Sequence, residues 1–223
     1  FGAPGVGKGT FAKILCKKLG LHHVSAGNLV RKEIMVQSKL GLSIKAQVER
    51  GLLLDDSLIT DLVFKELELI NEKREGFILD GYPRSLEQAL MLASADQDLM
   101  IQQVVNIQLD EKIRIEKLRG RRHCTKCGRD GFNLAHVCTH DYDMPAILPD
   151  HETCGLEDKG RCDPILESRS DDSPEAIERR TAEFKRETGP ILDYFAGKSL
   201  LKNFTVKLGI RDSGRLLSVI LNQ

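Results

Sequence analysis

The chain has 223 residues, 41% of them hydrophobic, with 33 basic residues against 33 acidic. That length supports one sizeable core, or a core with smaller attached lobes. The balanced charge gives no electrostatic case for a protein held as a whole on nucleic acid or a membrane surface, no apolar run approaches the ~20 residues a bilayer crossing needs, and no signal peptide is visible.

The first ten residues, FGAPGVGKGT, nearly spell a phosphate-binding loop. The common pattern is Gly, any four, Gly-Lys and then Ser or Thr at once. Here Gly2 opens, Gly7 and Lys8 close, and Gly9 separates Lys8 from the hydroxyl of Thr10. Such a loop follows a buried strand, of which only Phe1 is present; residues before Phe1 are therefore expected, and any targeting segment with them. After the loop, Phe11, Ile14, Leu15 and Leu19 recur at helical spacing until Gly20. LHHVS (21–25) reads as a short strand or turn, and helical pieces run from about Leu29 to Glu49 before Gly51. Asp55 or Asp56 is placed to cap a helix with Ile59, Leu62, Val63 and Leu67 on its apolar face. FILD (77–80) is a buried strand ending on a carboxylate, Ser85 caps the next helix, QVVNIQL (103–109) is another strand, and a helix follows from Asp110 to Arg119. From Gly120 to about Ser170 the sequence is rich in Cys, His, Asp, Gly and Pro and reads as a small inserted lobe. Ser173-Pro174-Glu175 starts a helix, NFTVK (203–207) is a strand, and Asp212 is placed to cap a last helix. Strands alternating with helices predict a parallel sheet covered on both faces.

Glycines let backbone N–H groups turn inward around phosphate oxygens, the following helix adds its positive end, and Lys8 supplies a point charge. Asp80 ends a strand at the edge where α/β sheets place ligands, and a carboxylate there suits the water shell of Mg²⁺. Arg31, Arg84, Arg121, Arg122, Arg169, Arg179 and Arg180 fall near element ends or at the borders of the lobe. Phosphoryl transfer needs positioned cations more than a side-chain base, and arginine's planar fork suits the task. Cys16 reads as a small core residue, whereas Cys124, Cys127, Cys138, Cys154 and Cys162 cluster in one stretch. That clustering fits a local metal knot in a reducing compartment. Cys124-x2-Cys127 before Gly128 is a zinc-knuckle spacing.

GAPGVGKGT, DGYPRSLEQA, GRRHCTKCG and ESRSDDSPEAIERR, in this order, resemble the adenylate kinase family of nucleoside monophosphate kinases over essentially the whole chain. That family's loop characteristically ends Gly-Lys-Gly-Thr. The resemblance implies a P-loop three-layer α/β/α fold with a parallel five-stranded sheet once the strand before the loop is restored. The core would comprise 1–24, 55–119 and 173–223, with a monophosphate-binding insert at 25–54 and a lid at 120–172. It implies reversible transfer from Mg²⁺-ATP to AMP giving two ADP, with GTP as the alternative donor. Gly5, Val6, Gly7, Lys8, Gly9 and Thr10 match the loop around the donor phosphates, and Arg31 and Arg84 the arginines on the AMP phosphate. Gly81, Gln88, Ala26 and Leu54 match positions around the AMP base. Arg121 matches the first lid arginine, Arg169 and Arg180 the arginines bridging donor and acceptor, and Asp171 and Asp172 the acids at the lid hinge. Lys117 stands where an arginine commonly stacks on the donor base, and Arg211 near a backbone contact to that base. Zinc-bearing lids of the family carry a CxxC after Gly-Arg-Arg, as at Cys124 and Cys127. Cys162 falls at the last ligand position and Cys154 is the third candidate, with Cys138, His123, His140 and His151 as competitors.

The sequence departs from the family at Ala26, usually a hydroxyl residue, at Asn28, usually Asp, and at Leu52, often Lys. Ala26 and Asn28 are what a catalytically silent nucleotide-binding homologue would show; Lys8 and Arg84, whose loss would mark one, are present. A zinc ribbon binding nucleic acid through GRR is opposed by net neutrality and by 5% aromatic content with no Trp. The expected partners are small nucleotides alone, with no nucleic acid and no membrane, for a monomer in the cytoplasm or an organelle.

Overall fold

The computed structural model describes residues 1–49, 54–73, 75–94, 101–149 and 162–221. Helix α1 (Lys8–Leu19) leaves the loop directly and ends where Gly20 adopts the left-handed conformation, as the sequence predicts. Strand β1 (His22–Ser25) leads into α2 (Ala26–Met35) and α3 (Lys39–Glu49). Helix α4 (Asp56–Glu72) is capped by Asp55, whose side chain accepts from the Ser57 N–H. Strand β2 (Phe77–Asp80), α5 (Leu86–Ser94), β3 (Val104–Gln108) and α6 (Glu111–Gly120) follow, the last capped by Asp110. Helix α7 (Pro174–Gly197), with Ser173 as cap, leads through β9 (Leu201–Thr205) to α8 (Ser213–Leu221).

The parallel pairing predicted from the alternating pattern is present, in two separate ladders. β1 pairs with β2 from His22↔Phe77 to Ser25↔Asp80, and β3 with β9 from Val104↔Leu201 to Gln108↔Thr205. The described residues thus supply four parallel strands, in two pairs. Phe1 sits beside β3: its amine donates to Val105 O at 2.5 Å and its carbonyl accepts from Ile107 N at 2.9 Å.

One apolar cluster joins Phe11 and Leu15 of α1, Ile107 of β3, Phe204 of β9 and Leu216 of α8. A second places Val24 of β1 against Val63, Leu67 and Ile70 of α4, with Ala26 buried beside them. Residues 121–167 carry short antiparallel strands. β4 (Arg121–Cys124) lies between β5 (Asp130–Asn133) and β8 (Leu166–Glu167), while β6 (Val137–Cys138) pairs with β7 (Asp143–Met144). Val137 and Met144 belong to the first apolar cluster, so this second hairpin lies down on the core. Asp212 does not cap α8. It is fully buried in the turn before it, and its carboxylate accepts from Lys207 N and Leu208 N, both at 2.7 Å.

Candidate active site

A cleft of about 1890 Å³ runs from the phosphate loop to the C-terminal edge of β2 and under residues 121–147. The loop is its floor. Gly2, Gly5 and Gly7 all hold positive φ, which curls the chain so that the start of α1 faces the cleft. Lys8 folds over the loop and donates to Gly2 O at 2.6 Å and Ala3 O at 3.1 Å. Burial first, and then Arg84, Arg180 and Arg121, hold its ammonium down at about 8 against the pull of Asp80. Gly9 has a reason that the loop pattern alone does not give. A Cβ there would stand 3.1 Å from Asp80 Oδ2, so the glycine lets α1 pass under the carboxylate. Asp80 itself is pushed up by burial, but His23 and Lys8 outweigh this and keep it below the ordinary carboxylate range. His23 Nε2 lies 3.4 Å from Asp80 Oδ2.

The arginines converge from different elements. Arg31 on α2 donates to Asn28 Oδ1 and lies 3.9 Å from Asp130 Oδ2 on β5. Arg169, just after β8, holds Asp171 through two bonds of 2.8 and 3.0 Å and also stands 3.9 Å from Asp130. Arg121 of β4 forks onto Asp172, with Nε 2.6 Å from Oδ2. Arg180 on α7 donates to Asp171 O at 2.9 Å and lies 2.9 Å from Asp171 Oδ2. Burial raises Asp171, but Arg169 and Arg180 overcome it and bring its carboxyl down to about 2. Arg84 donates through Nε to Gly81 O at 2.9 Å. The cations are thus parked on acids and carbonyls that polyphosphate oxygens can replace.

Gln88, expected at the AMP base, is a buried polar residue. It is 1% exposed. Its Oε1 accepts from Arg84 N at 2.7 Å and its Nε2 donates to Asp56 Oδ1 at 3.0 Å, while Asp56 Oδ2 accepts from Ser85 at 2.6 Å. Ala26, Leu54 and Gly81 line the same end of the cleft. At the other end Lys117 donates to Ala135 O at 2.8 Å and Pro145 O at 3.3 Å. Gly5, Val6, Gly7, Lys8, Gly9, Thr10, Arg31, Asp80, Arg84, Lys117, Arg121, Arg169 and Arg180 all line the cleft. The guanidinium of Arg211 is held by Asp143, at 2.6 Å to the carbonyl, while Gly209 and Ile210 just before it line the cleft. Asp56 and Asp130 were not signalled by the sequence; Asp56 read only as a possible helix cap, and Asp130 carries no motif.

The adenylate kinase family model matches residues 1–200. The chain belongs to the adenylate kinase family. It is 38% identical over its full length to a GTP:AMP phosphotransferase of Plasmodium falciparum, covering 94% of that protein. It is 36% identical over 98% of its length to adenylate kinase 1, chloroplastic, of Arabidopsis thaliana, covering 75% of that protein. An adenylate kinase of Borrelia duttonii is 34% identical over the whole chain and is covered to 95%. The family fixes the reaction class: this is a nucleoside monophosphate kinase with the P-loop α/β fold. Nucleotides are its ligands, and no helix among the described residues is long and apolar enough to cross a membrane.

Away from the cleft, Cys124, Cys127 and Cys162 are buried with their sulfurs all within 4.8 Å of one another. Burial opposes ionisation of Cys124, but N–H groups of Cys127, Ile165 and Lys126 turned toward the sulfur hold it at about 6. Cys138 lies exposed in the β6–β7 hairpin, in a separate group with His136 and Asp143. Cys154, His151 and Leu52 fall outside the described residues.

Proposed function

We propose that this enzyme transfers the γ-phosphoryl group of Mg²⁺-ATP to AMP, giving two ADP, as a monomer. The observation that carries the reading is the convergence of Lys8, Arg31, Arg84, Arg121, Arg169 and Arg180 from one chain on one cleft over the phosphate loop. Lys8 and the loop amides hold the β- and γ-phosphates, and Arg121 supports them from the lid. Arg31 and Arg84 hold the acceptor phosphate. Arg169 and Arg180 follow the charge as it spreads in the transition state, so no general base is required. Asp80, ionised and facing the loop, is the group to hold the water shell of Mg²⁺ beside Thr10. Segment 25–54 acts as the acceptor-binding insert and 120–172 as a lid that excludes water. Lys117 and the backbone near Arg211 form the wall for the donor base. The test is steady-state ADP formation from AMP with ATP or GTP, with Lys8→Ala as control. Turnover with ATP, lost in the variant, supports the reading; no transfer from a folded protein that binds nucleotide ends it. The Plasmodium relative's printed activity favours a second reading, GTP as donor, and transfer confined to GTP would select it. Relatives named chloroplastic support an organellar compartment.

Zinc fits the three lid cysteines. Two sulfurs bound at ~2.3 Å to one tetrahedral zinc stand about 3.8 Å apart, and Cys124 Sγ lies 3.8 Å from Cys162 Sγ. Cys124, Cys127, Cys162 and, as the fourth ligand, Cys154 would hold a closed structural ion.

Three consequences are measurable. Gly9→Ala crowds Asp80 and lowers kcat/KM roughly 10–100-fold by displacing the phosphate loop, with the melting temperature little changed. Asp56→Ala frees the amide of Gln88 and raises KM for AMP about tenfold, a typical loss for one buried polar group left unpaired; KM for the donor stays the same. The third concerns Lys8. Its pKa of about 8 in the free enzyme rises when phosphates arrive, so binding takes up a proton above that pH. Donor affinity then falls about tenfold per unit as pH rises from 8. The charges that face it are those of Asp80, Arg84, Arg121 and Arg180. A flat affinity profile between pH 7 and 9.5, identical to that of Lys8→Met, would refute the linkage.

A further inference from the structure

The second hairpin of the lid carries a group of side chains that the phosphoryl-transfer site does not use. In β6 and β7 the alternation is strict: Val137 and Met144 point into the core at 2% and 1% exposure. Their neighbours must therefore share the outer face. Cys138 and Asp143 are directly paired across the ladder, and His136 precedes Cys138 by two residues on the same face. One nitrogen, one sulfur and one carboxylate oxygen come within 4.8 Å of one another there. His136 Nε2 is 3.6 Å from Asp143 Oδ1, while the other oxygen, Oδ2, is held 2.5 Å from Arg211 Nη2. The hairpin is closed by Thr139 N donating to Tyr142 O at 2.8 Å and Tyr142 N to Thr139 Oγ1 at 3.1 Å. The donor atoms are thus presented on a fixed turn, with one carboxylate oxygen oriented from outside, as supporting groups orient metal ligands.

We propose that His136, Cys138 and Asp143 form a second metal site, selective for a zinc-class divalent ion and separate from the three buried lid cysteines. The mixed nitrogen, sulfur and oxygen donors suit Zn²⁺ or Co²⁺ and not Mg²⁺ or Ca²⁺, which take oxygen ligands. With three protein ligands on an exposed face the fourth position is open to solvent, so this ion exchanges while the buried one does not. Through Asp143 the ion would tie the hairpin to Arg211 and the core.

The test uses the reduced chain with its lid-cysteine site filled by one equivalent of Zn²⁺, then titrated with further Zn²⁺ against an indicator in millimolar Mg²⁺. A second equivalent is expected, weakened at least about tenfold by each of His136→Ala, Cys138→Ser and Asp143→Asn, with the first equivalent unchanged. All three positions are solvent-facing, so the variants fold. Co²⁺ in place of the second equivalent gives a near-ultraviolet thiolate charge-transfer band that Cys138→Ser abolishes. Binding that stops at one equivalent overturns the proposal. So does a second equivalent indifferent to all three substitutions or displaced by Mg²⁺, or Co²⁺ binding without the thiolate band.

Discussion

Replacing Arg180 by alanine is expected to lower kcat by about 10³–10⁵-fold, the range found when an arginine that stabilises a transferring phosphoryl group is removed. Arg180 stands on α7, the longest helix among the described residues, whose start is fixed by the Ser173 cap. It reaches the cleft with its guanidinium on Asp171 and, at 3.6 Å, near Asp172. Those acids keep the cations together when no phosphate is present. Without them Arg121, Arg169 and Arg180 would repel one another in a half-buried site. Deleting Arg180 leaves Asp171 fully engaged by Arg169, so the fold should survive and the melting temperature should move little. The effect should fall on kcat and not on KM, because the spread of charge that Arg180 meets exists only in the transition state. Arg180→Lys should recover little, since an ammonium cannot span two oxygens as a planar fork does. Rapid-quench single turnover separates the chemical step from product release. A loss confined to KM would assign Arg180 to ground-state binding and sink its proposed role.

How far the sequence carried these expectations depended on whether a residue's reason was local. Helix ends written in short-range chemistry, such as Gly20, Asp55, Asp110 and Ser173, appear where the pattern puts them. The phosphate loop is legible because its glycines answer to backbone conformation. The reason for Gly9 is not, because the carboxylate that excludes a Cβ comes from Asp80, far along the chain. The burial of Gln88 depends on Asp56 and on the backbone of Arg84, which no helical period reveals. Asp212 sits where a helix cap would, yet the loop behind it offers two N–H groups and takes the carboxylate. The side chain of Arg211 is held by Asp143 in a hairpin of the lid, a partner that lies far along the chain.

Stripping zinc from the lid cysteines is expected to abolish transfer while leaving the α/β core folded. Among the described residues the apolar packing around Cys124, Cys127 and Cys162 amounts to Phe132 and part of Leu166, too little by itself to order a lobe of short strands without a staple. Structural zinc in small domains contributes about 10–16 kcal/mol of apparent binding energy that is also folding energy, more than such a cluster supplies. The catalytic link is geometric. β4 begins at Arg121 and ends at Cys124, and β8 pairs with it through Cys124↔Leu166 just before Arg169. Losing the knot therefore releases Arg121 and Arg169, the arginines proposed to hold phosphate, together, and a displacement of 1 Å at such groups already costs about 100-fold. A zinc-selective chelator in excess Mg²⁺ should remove one tightly held equivalent and cut turnover at least about 100-fold, with the far-ultraviolet signal of the helical core retained. Zn²⁺ should restore activity and Mg²⁺ should not. Cys127→Ser should behave like the stripped enzyme, whereas Cys138→Ser, in the other hairpin, should keep both the tight equivalent and the activity. An enzyme purified without metal that turns over at full rate in the chelator would show that the cysteines hold the lid by packing alone.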